Sequence, residues 1–189
     1  AGKLPKGDYR PLMLLAIDSA TFRAIIALHD GVTLRGECTW EAADAHTVTL
    51  APRITELLRQ TGVTVADLTG IAVCIGPGSY TGVRIGIAIA KGLALSQQLP
   101  LVGVTTLDIL VEGQPPDERP LYAVFAAGRR RIGYARYQFQ EHAWRAVSDV
   151  ALSTWEELLP RLEMPALLVG EIVDLQGRKA LETLGAALT

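Results

Sequence analysis

The segment GPGSYTGVRIG, residues 76 to 86, has the residue types and spacing that could do chemistry. It follows the apolar run IAVCI and leads into a helix-like sequence. Its glycines therefore lie at a helix N-terminus, where free N–H groups and the helix dipole can receive an anion. The residues of this glycine loop are Gly76, Pro77, Gly78, Ser79, Tyr80, Thr81 and Gly82.

Three familiar patterns do not fit the glycine loop. A Walker A loop requires a lysine and then Ser or Thr, and no lysine stands at that offset. The dinucleotide pattern fails because Thr81 occupies the third glycine position, and the nucleophile elbow fails because Pro77 stands two residues before Ser79. An anion site and a tight turn capped by Ser79 or Thr81 remain. The turn is favoured because capped turns are far more common than anion sites.

A second candidate phosphate site lies where the apolar run LMLLAID ends on Asp18, followed by Ser19. Asp18 could position a divalent ion and a phosphate, although a carboxylate at a strand end is more often a hydrogen-bonded turn residue. The three histidines form no i, i+4 ligand pair, so we predict no metal site. The run Arg129–Arg131 could touch RNA, and a solvated turn is its ordinary interpretation.

Composition excludes several classes of protein. The 189 residues are 49% hydrophobic, which is ample for a core, and the formal net charge is -2. That charge argues against holding nucleic acid by general electrostatics. Two cysteines without CxxC spacing predict a reduced, cytoplasmic setting, and the longest apolar stretch is too short to span a bilayer.

Hydrophobic periodicity predicts alternating strands and helices. The first half contains a strand ending at Asp18, a hairpin around Asp30-Gly31, and a helix over 46–60 that is kinked or starts late because of Pro52. The strand IAVCIG, an almost wholly apolar helix over 83–97, a short strand at 101–103 and the short helix TTLDILVEG follow. The second half contains the strands LYAVFAA, RIGYARYQF and AWRAVSDVAL, the helix TWEELLPRL, the strand ALLVG and the closing helix DLQGRKALETLGAAL.

The order of three strands, helix, strand and helix occurs in both halves. It predicts an α/β protein of two related lobes, the second abbreviated. The segment GQPPDERP is rich in turn formers and marks the boundary between them. We expect an N-terminal extension over residues 1–12, a first lobe over 13–112, a linker over 113–120 and a shortened second lobe over 121–189.

Three segments together closely resemble the TsaB family, formerly called YeaZ. They are LLAIDSATFRAIIALHDG, HTVTLAPRITELL and IAVCIGPGSYTGVRIGIAIAKGLALSQQLPLVGVTTLDIL, and the match from Gly76 to Gly86 is the most specific. The resemblance implies the actin-like ATPase fold, with two tandem RNase H-like lobes built of mixed sheets and helices. It also implies a non-catalytic partner of TsaD, which with TsaE completes threonylcarbamoyladenosine at position 37 of tRNAs that read ANN codons.

The resemblance also bears on catalysis. Where TsaD carries an NHMEGH-like metal motif this sequence has TTLDIL, with Thr106 and Leu110 in place of the two histidines. A leucine methyl group offers a metal no donor atom. We therefore expect no catalysis, no metal and no intrinsic cofactor in this chain, and ATP to be used by the complex.

The resemblance places a partner interface on the two helices over 46–60 and 83–97. The interface residues it implies are His46, Leu50, Ile54, Leu57, Arg84, Ile85, Ala88, Ile89 and Lys91. The expected partners are a TsaD-like protein in a heterodimer and a TsaE-like ATPase in the larger complex, with tRNA contacted only indirectly. A homodimer through the same helices is an alternative. From the residues alone, a buried core helix explains the second helix equally well.

The sequence departs from the family pattern at two places. Ala126-Ala127-Gly128 stands where the family usually has a DAR turn, and the sequence ends at Thr189, so we expect a minimal second lobe.

The alternative function, from another class of protein, is a phosphate-transferring ATPase or kinase of the actin-like superfamily, using Asp18 and the Gly76–Gly82 loop. The lack of a second catalytic acid at a matching strand end weighs against it.

Overall fold

The protein is described by a computed structural model over residues 11–41, 46–172 and 177–178. The strands of its first sheet are β1 (Leu14–Asp18), β2 (Arg23–His29), β3 (Leu34–Glu41), β4 (Gly70–Cys74) and β5 (Leu101–Val104). The strands of its second sheet are β6 (Leu121–Ala126), β7 (Ile132–Gln140), β8 (Ala143–Ala146), β9 (Ala151–Ser153) and β10 (Leu167–Gly170). The α-helices in these ranges are α1 (His46–Thr61), α2 (Tyr80–Gln97), α3 (Thr106–Glu112) and α4 (Trp155–Leu158).

The first sheet has the strand order β3-β2-β1-β4-β5. Strands β1, β2 and β3 form an antiparallel meander, whereas β4 and β5 continue parallel to β1 on its other side. The meander turns at Asp30, whose carboxylate accepts hydrogen bonds from Thr33 N at 2.7 Å and Val32 N at 2.9 Å. These bonds hold the pKa of Asp30 well below its usual range. The hairpin predicted around Asp30-Gly31 is confirmed.

Helices α1 and α2 share one hydrophobic core with the first sheet. Strands β1 and β2 bury every second side chain, as strands with one face on a core do, whereas the central strand β4 is buried on both faces. The largest fully buried strand residues of this core are Leu15, Ile26, Leu28 and Ile71, and α1 adds Leu50, which is also fully buried.

Pro52 lies inside α1, which begins at His46. Of the two alternatives expected from this proline, a kink or a late helix start, the late start is therefore wrong. Proline in a helix interior costs about 3 kcal/mol because one backbone hydrogen bond is lost. The proline itself is exposed, whereas Leu50 before it and Ile54 after it are buried in the core. Tertiary burial on both sides of Pro52 therefore keeps the segment helical despite the local cost.

The second sheet has the strand order β10-β6-β7-β8, with β9 also pairing with β7. The segment AWRAVSDVAL, predicted as one strand, is two strands. Strand β8 pairs with the last four residues of β7 and β9 with its first three. Between them the Ser148 hydroxyl accepts a hydrogen bond from Arg136 N at 2.9 Å, so a side chain replaces a strand carbonyl and the pairing is interrupted there.

Helix α3 packs on the second sheet. Leu107 and Val111 lie in one buried cluster with Leu121, Ala123 and Phe125. Helix α3 therefore packs with the second lobe rather than with the first lobe expected over 13–112, because it buries its apolar side against β6. The Pro-rich segment 113–120 is a connection within the packing unit of the second sheet, and Trp144 Nε1 donates a hydrogen bond to Gln114 O at 3.2 Å.

The order of the paired strands recurs between the sheets. Strands β6, β7 and β8 form an antiparallel meander and β10 runs parallel to β6, as β1, β2, β3 and β4 do in the first sheet. The predicted N-terminal extension lies outside the described residues up to position 10. The predicted closing helix also lies outside them, except that residues 177–178 are helical. In the described ranges, no helix is long and apolar enough to cross a membrane.

Candidate functional site

The glycine loop connects β4 to α2 as a capped corner. Ser79 is the N-cap of α2, and its hydroxyl accepts a hydrogen bond from Gly82 N at 3.2 Å. The Ser79 N–H itself donates to Ala20 O at 2.6 Å, in the turn between β1 and β2. Of the two capping residues predicted, the structure selects Ser79, while Thr81 is exposed.

Three glycines of this segment lie against the β1–β2 turn, residues 19–22. A Cβ atom built on Gly78 would overlap Ala20 O, one on Gly82 would overlap Ser19 O, and one on Gly86 would overlap the Ser19 hydroxyl. The buried Ser19 hydroxyl donates to Gly82 O at 2.9 Å. The space beside these glycines is therefore filled by the chain's own backbone.

The two residues of the predicted phosphate site lie beside the glycine loop but bind protein atoms. Ser19 is 2% exposed and is hydrogen-bonded to α2. The Asp18 carboxylate accepts a hydrogen bond from Ala20 N at 2.9 Å, which is the turn role expected of a strand-end carboxylate. Burial raises the pKa of Asp18, more than the Ala20 and Cys74 hydrogen bonds lower it.

The surroundings of Asp18 explain why its pKa is raised. It borders an apolar cavity of about 210 Å³ on the face of the first sheet that α1 and α2 leave open. The other cavity residues are Ala16, Ile17, Ile25, Ala27, Ala72, Val73, Cys74, Val104 and Ile109. An apolar wall disfavours a charged carboxylate, whereas binding of magnesium and phosphate requires one.

Cys74 joins this corner to α3. Its Sγ atom lies 3.2 Å from Thr106 Oγ1, and Thr106 N donates to Gly76 O at 2.9 Å. Burial, followed by the charge of Asp18, raises the pKa of Cys74 to about 11. Thr106 occupies one of the two positions at which the resemblance implies that a metal-binding histidine is replaced. It is 1% exposed and packed in this contact. Within the described ranges, no group of three or more His, Cys, Asp or Glu side chains could hold a metal ion.

The interface residues predicted on α1 need correction. Leu50, Ile54 and Leu57 are 0%, 4% and 4% exposed and lie in the core of the first sheet. An amphipathic helix has one apolar stripe, and here that stripe faces its own sheet. The side chain of His46 lies outside the described residues. The exposed side of α1 is polar, and its charged members are Arg53, Glu56 and Arg59.

Helix α2 has two different sides. Gly82, Gly86, Ala90 and Ala94 are buried at helical spacing, so the small residues bring α2 close to its own sheet. The opposite, exposed side of α2 comprises Tyr80, Arg84, Ala88, Lys91 and Leu95. The predicted residues Ile85 and Ile89 are partly buried between the two sides.

An aromatic–cation pair begins the exposed side of α2. The Arg84 guanidinium lies over the Tyr80 ring, 5.1 Å from its centroid, and Arg84 Nη1 donates a hydrogen bond to the Tyr80 hydroxyl. Tyr80 is 74% exposed and Leu95, at the far end of the same side, is 79% exposed. Tyr and Arg are enriched at protein interfaces, and the two side chains contact each other on this side of the helix. Arg129–Arg131 lie exposed in the β6–β7 turn, consistent with a solvated segment.

The family model described as "TsaD: tRNA N6-adenosine threonylcarbamoyltransferase" matches residues 39–178. The "tRNA threonylcarbamoyladenosine biosynthesis protein TsaB" of Bacillus subtilis is 31% identical over 92% of this chain and 77% of its own length. The protein of the same name from Escherichia coli is 33% identical over 80% of this chain and 67% of its own length.

A solved structure gives the same result. "YeaZ from Pseudomonas aeruginosa" superimposes with a TM-score of 0.65 and 28% sequence identity, covering 82% of this chain and 70% of that one. The fold is thus a mixed α/β structure with two mixed sheets, related to the TsaD family. The chain belongs to the TsaB family, also called YeaZ, as its resemblance predicts.

Replacing Gly82 by Ala tests the close packing of α2. We expect the free energy of unfolding to fall by about 1–3 kcal/mol, because a Cβ would overlap Ser19 O. Gly92→Ala in the same helix is the control, since a Cβ there meets nothing within 4 Å and should stabilise the helix by about 0.5–1 kcal/mol. Urea denaturation measures both, and equal effects of the two substitutions would contradict the packing.

Asp18→Asn should stabilise the protein at pH 7, because Asn keeps the bond from Ala20 N without a buried charge. Folding raises the pKa of Asp18 above its ordinary 3.8, so the wild-type protein gains stability as pH falls through the folded pKa. The advantage of Asp18→Asn should therefore disappear in acid. Denaturation at several pH values measures this, with exposed Asp149→Asn as the charge control. A variant less stable than wild type at pH 7 would show that the carboxylate has a favourable charged partner.

Cys74 should resist thiol reagents. With a pKa of about 11 against an ordinary 9.0, its thiolate fraction at pH 8 is about a hundredfold lower than that of a free thiol. The reaction of the folded Cys38→Ser variant with Ellman's reagent measures Cys74 alone, and the same variant in guanidinium is the control. Equal rates in the two states would contradict the buried, high-pKa thiol.

Proposed function

We propose that this chain is a non-catalytic TsaB-type subunit, which binds a TsaD-family protein and supports formation of threonylcarbamoyladenosine at position 37 of tRNAs reading ANN codons. Two curated relatives carry this biosynthetic role in their names. In the proposal, the TsaD-family protein performs the transfer, a TsaE-like ATPase and ATP act in the complex, and tRNA meets this chain only indirectly. Each lobe is an RNase H-like unit, which the recurring strand order supports.

The observation that carries the proposal is the contrast between the two sides of α2. The glycine corner at its start, which a kinase would need for phosphate, is occupied by Ser19 and Ala20. The exposed side instead offers the Tyr80–Arg84 pair, a small Ala88 and an apolar Leu95. A small residue flanked by such side chains allows the helix of another protein to approach closely.

Charge supports a protein rather than a nucleic acid as the direct partner. Arg84 and Lys91 are the two cations on the exposed side of α2, and Glu56 and Arg59 on α1 form a salt bridge of 2.7 Å. With Arg53 on α1, whose guanidinium lies over the Trp40 ring, these are three cations and one neutralised pair, which make few phosphate contacts. Mixed charge around an apolar centre is typical of a protein interface rim.

Ala88→Glu should weaken binding to the TsaD-family protein of the same organism at least about tenfold, because a charged side chain would be buried in a helix contact. Ala146→Glu is the matched control, since Ala146 is exposed on β8 of the second sheet. Calorimetric titration measures binding, and thermal unfolding should show both variants folded.

Wild-type affinity of Ala88→Glu would contradict the interface. If Ala88→Glu dissociates a homodimer of this chain but leaves binding of the TsaD-family protein unchanged, the surface serves self-association instead. Modification of tRNA by this chain alone would contradict the non-catalytic role.

A further inference from the structure

Glu171 connects the two lobes through both oxygens of one carboxylate. Its Oε1 accepts a hydrogen bond from Phe22 N at 2.6 Å, in the β1–β2 turn of the first lobe. Its Oε2 accepts one from Ala126 N at 2.9 Å, at the end of β6 in the second lobe. The two donors are more than a hundred residues apart in sequence, so this is a long-range tertiary contact rather than a local turn.

The backbone before Glu171 aims its side chain at the first lobe. Gly170 ends β10 with φ +123°, and a Cβ there would overlap Val124 O. Glu171 N then donates to Val124 O at 3.0 Å. The main chain of Glu171 is therefore fixed to β6, and its side chain extends from a rigid base.

Each donor lies at or shortly after the end of the first strand of its sheet. Phe22 N belongs to the turn after the first strand of the first sheet, and Ala126 ends the first strand of the second sheet. The first of these turns is also the one whose Ser19 and Ala20 hold α2. The hydrogen bond at Phe22 therefore fixes the same short turn that positions α2 and its exposed side.

We propose that Glu171 is an interlobe clasp that fixes the angle between the two sheets. The chain crosses between them from β5 to α3, where Thr106 contacts Cys74 and Gly76. Within the described residues, the Glu171 bonds add to this crossing a tie that is remote in sequence, which restricts rotation of one sheet against the other. A carboxylate suits the role because two backbone N–H groups need two acceptors, and hydrogen bonds to an ionised acceptor are the stronger kind.

Glu171→Gln should open the clasp, because a carboxamide keeps one acceptor oxygen and turns an N–H₂ donor toward a second N–H. We expect the amide hydrogen of Phe22 or of Ala126, whichever loses its acceptor, to exchange about tenfold faster or more in the full chain, measured by NMR. We also expect a wider distribution of distances between labels on the two lobes. Glu163→Gln is the matched control, since the Glu163 carboxylate binds Arg136 within the second lobe at 2.8 Å.

Unchanged exchange at both Phe22 and Ala126 in Glu171→Gln would overturn the proposal. A measurement on the wild-type chain keeps it testable should the variant unfold: a scalar coupling across the hydrogen bond between Phe22 nitrogen and the Glu171 carboxylate carbon is expected, and its absence would contradict the clasp. Neither measurement involves a partner protein or tRNA, so the clasp stands or fails apart from the proposed function.

Discussion

The contact between the start of α2 and the β1–β2 turn determines the arrangement of the first lobe. It has two hydrogen bonds, from the Ser19 hydroxyl to Gly82 O and from Ser79 N to Ala20 O. It also requires glycine at positions where any side chain would meet backbone atoms. Because both partners are backbone segments, the approach distance is fixed by van der Waals contact rather than by adaptable side chains. Helix α2 therefore has one permitted orientation on the sheet.

This orientation of α2 gives its two sides different roles. The glycine and alanine side of α2 is used for close packing against its own sheet, while Arg84, Ala88 and Lys91 are left facing outward. The same contact fills the space beside Gly78 and Gly82 with the backbone of Ala20 and Ser19. Membership of the TsaB family, the filled corner and the outward side of α2 agree with a subunit that works by binding another protein.

The sequence allowed most elements of the fold to be predicted, because strand alternation, the Asp30-Gly31 turn and the Ser79 cap are local signals. Periodicity reveals that a helix has an apolar stripe but not what the stripe contacts. The resemblance implies a partner interface at Leu50, whereas the structure places this residue in the core. The division of β8 from β9 depends on one side-chain bond from Ser148, and α3 joins the second sheet by packing. Glu171 belongs to no motif, since its contact with Phe22 exists only in three dimensions.

The claim that the glycine loop is a packing corner filled by the protein itself is tested most directly by NMR titration of the isolated chain with ATP and magnesium. The account predicts that the backbone amide signals of Ala20, Gly78, Ser79 and Gly82 stay unchanged up to millimolar nucleotide, because their surroundings are already occupied. Saturable shifts confined to these four amides would show that the corner receives phosphate, and would contradict the account.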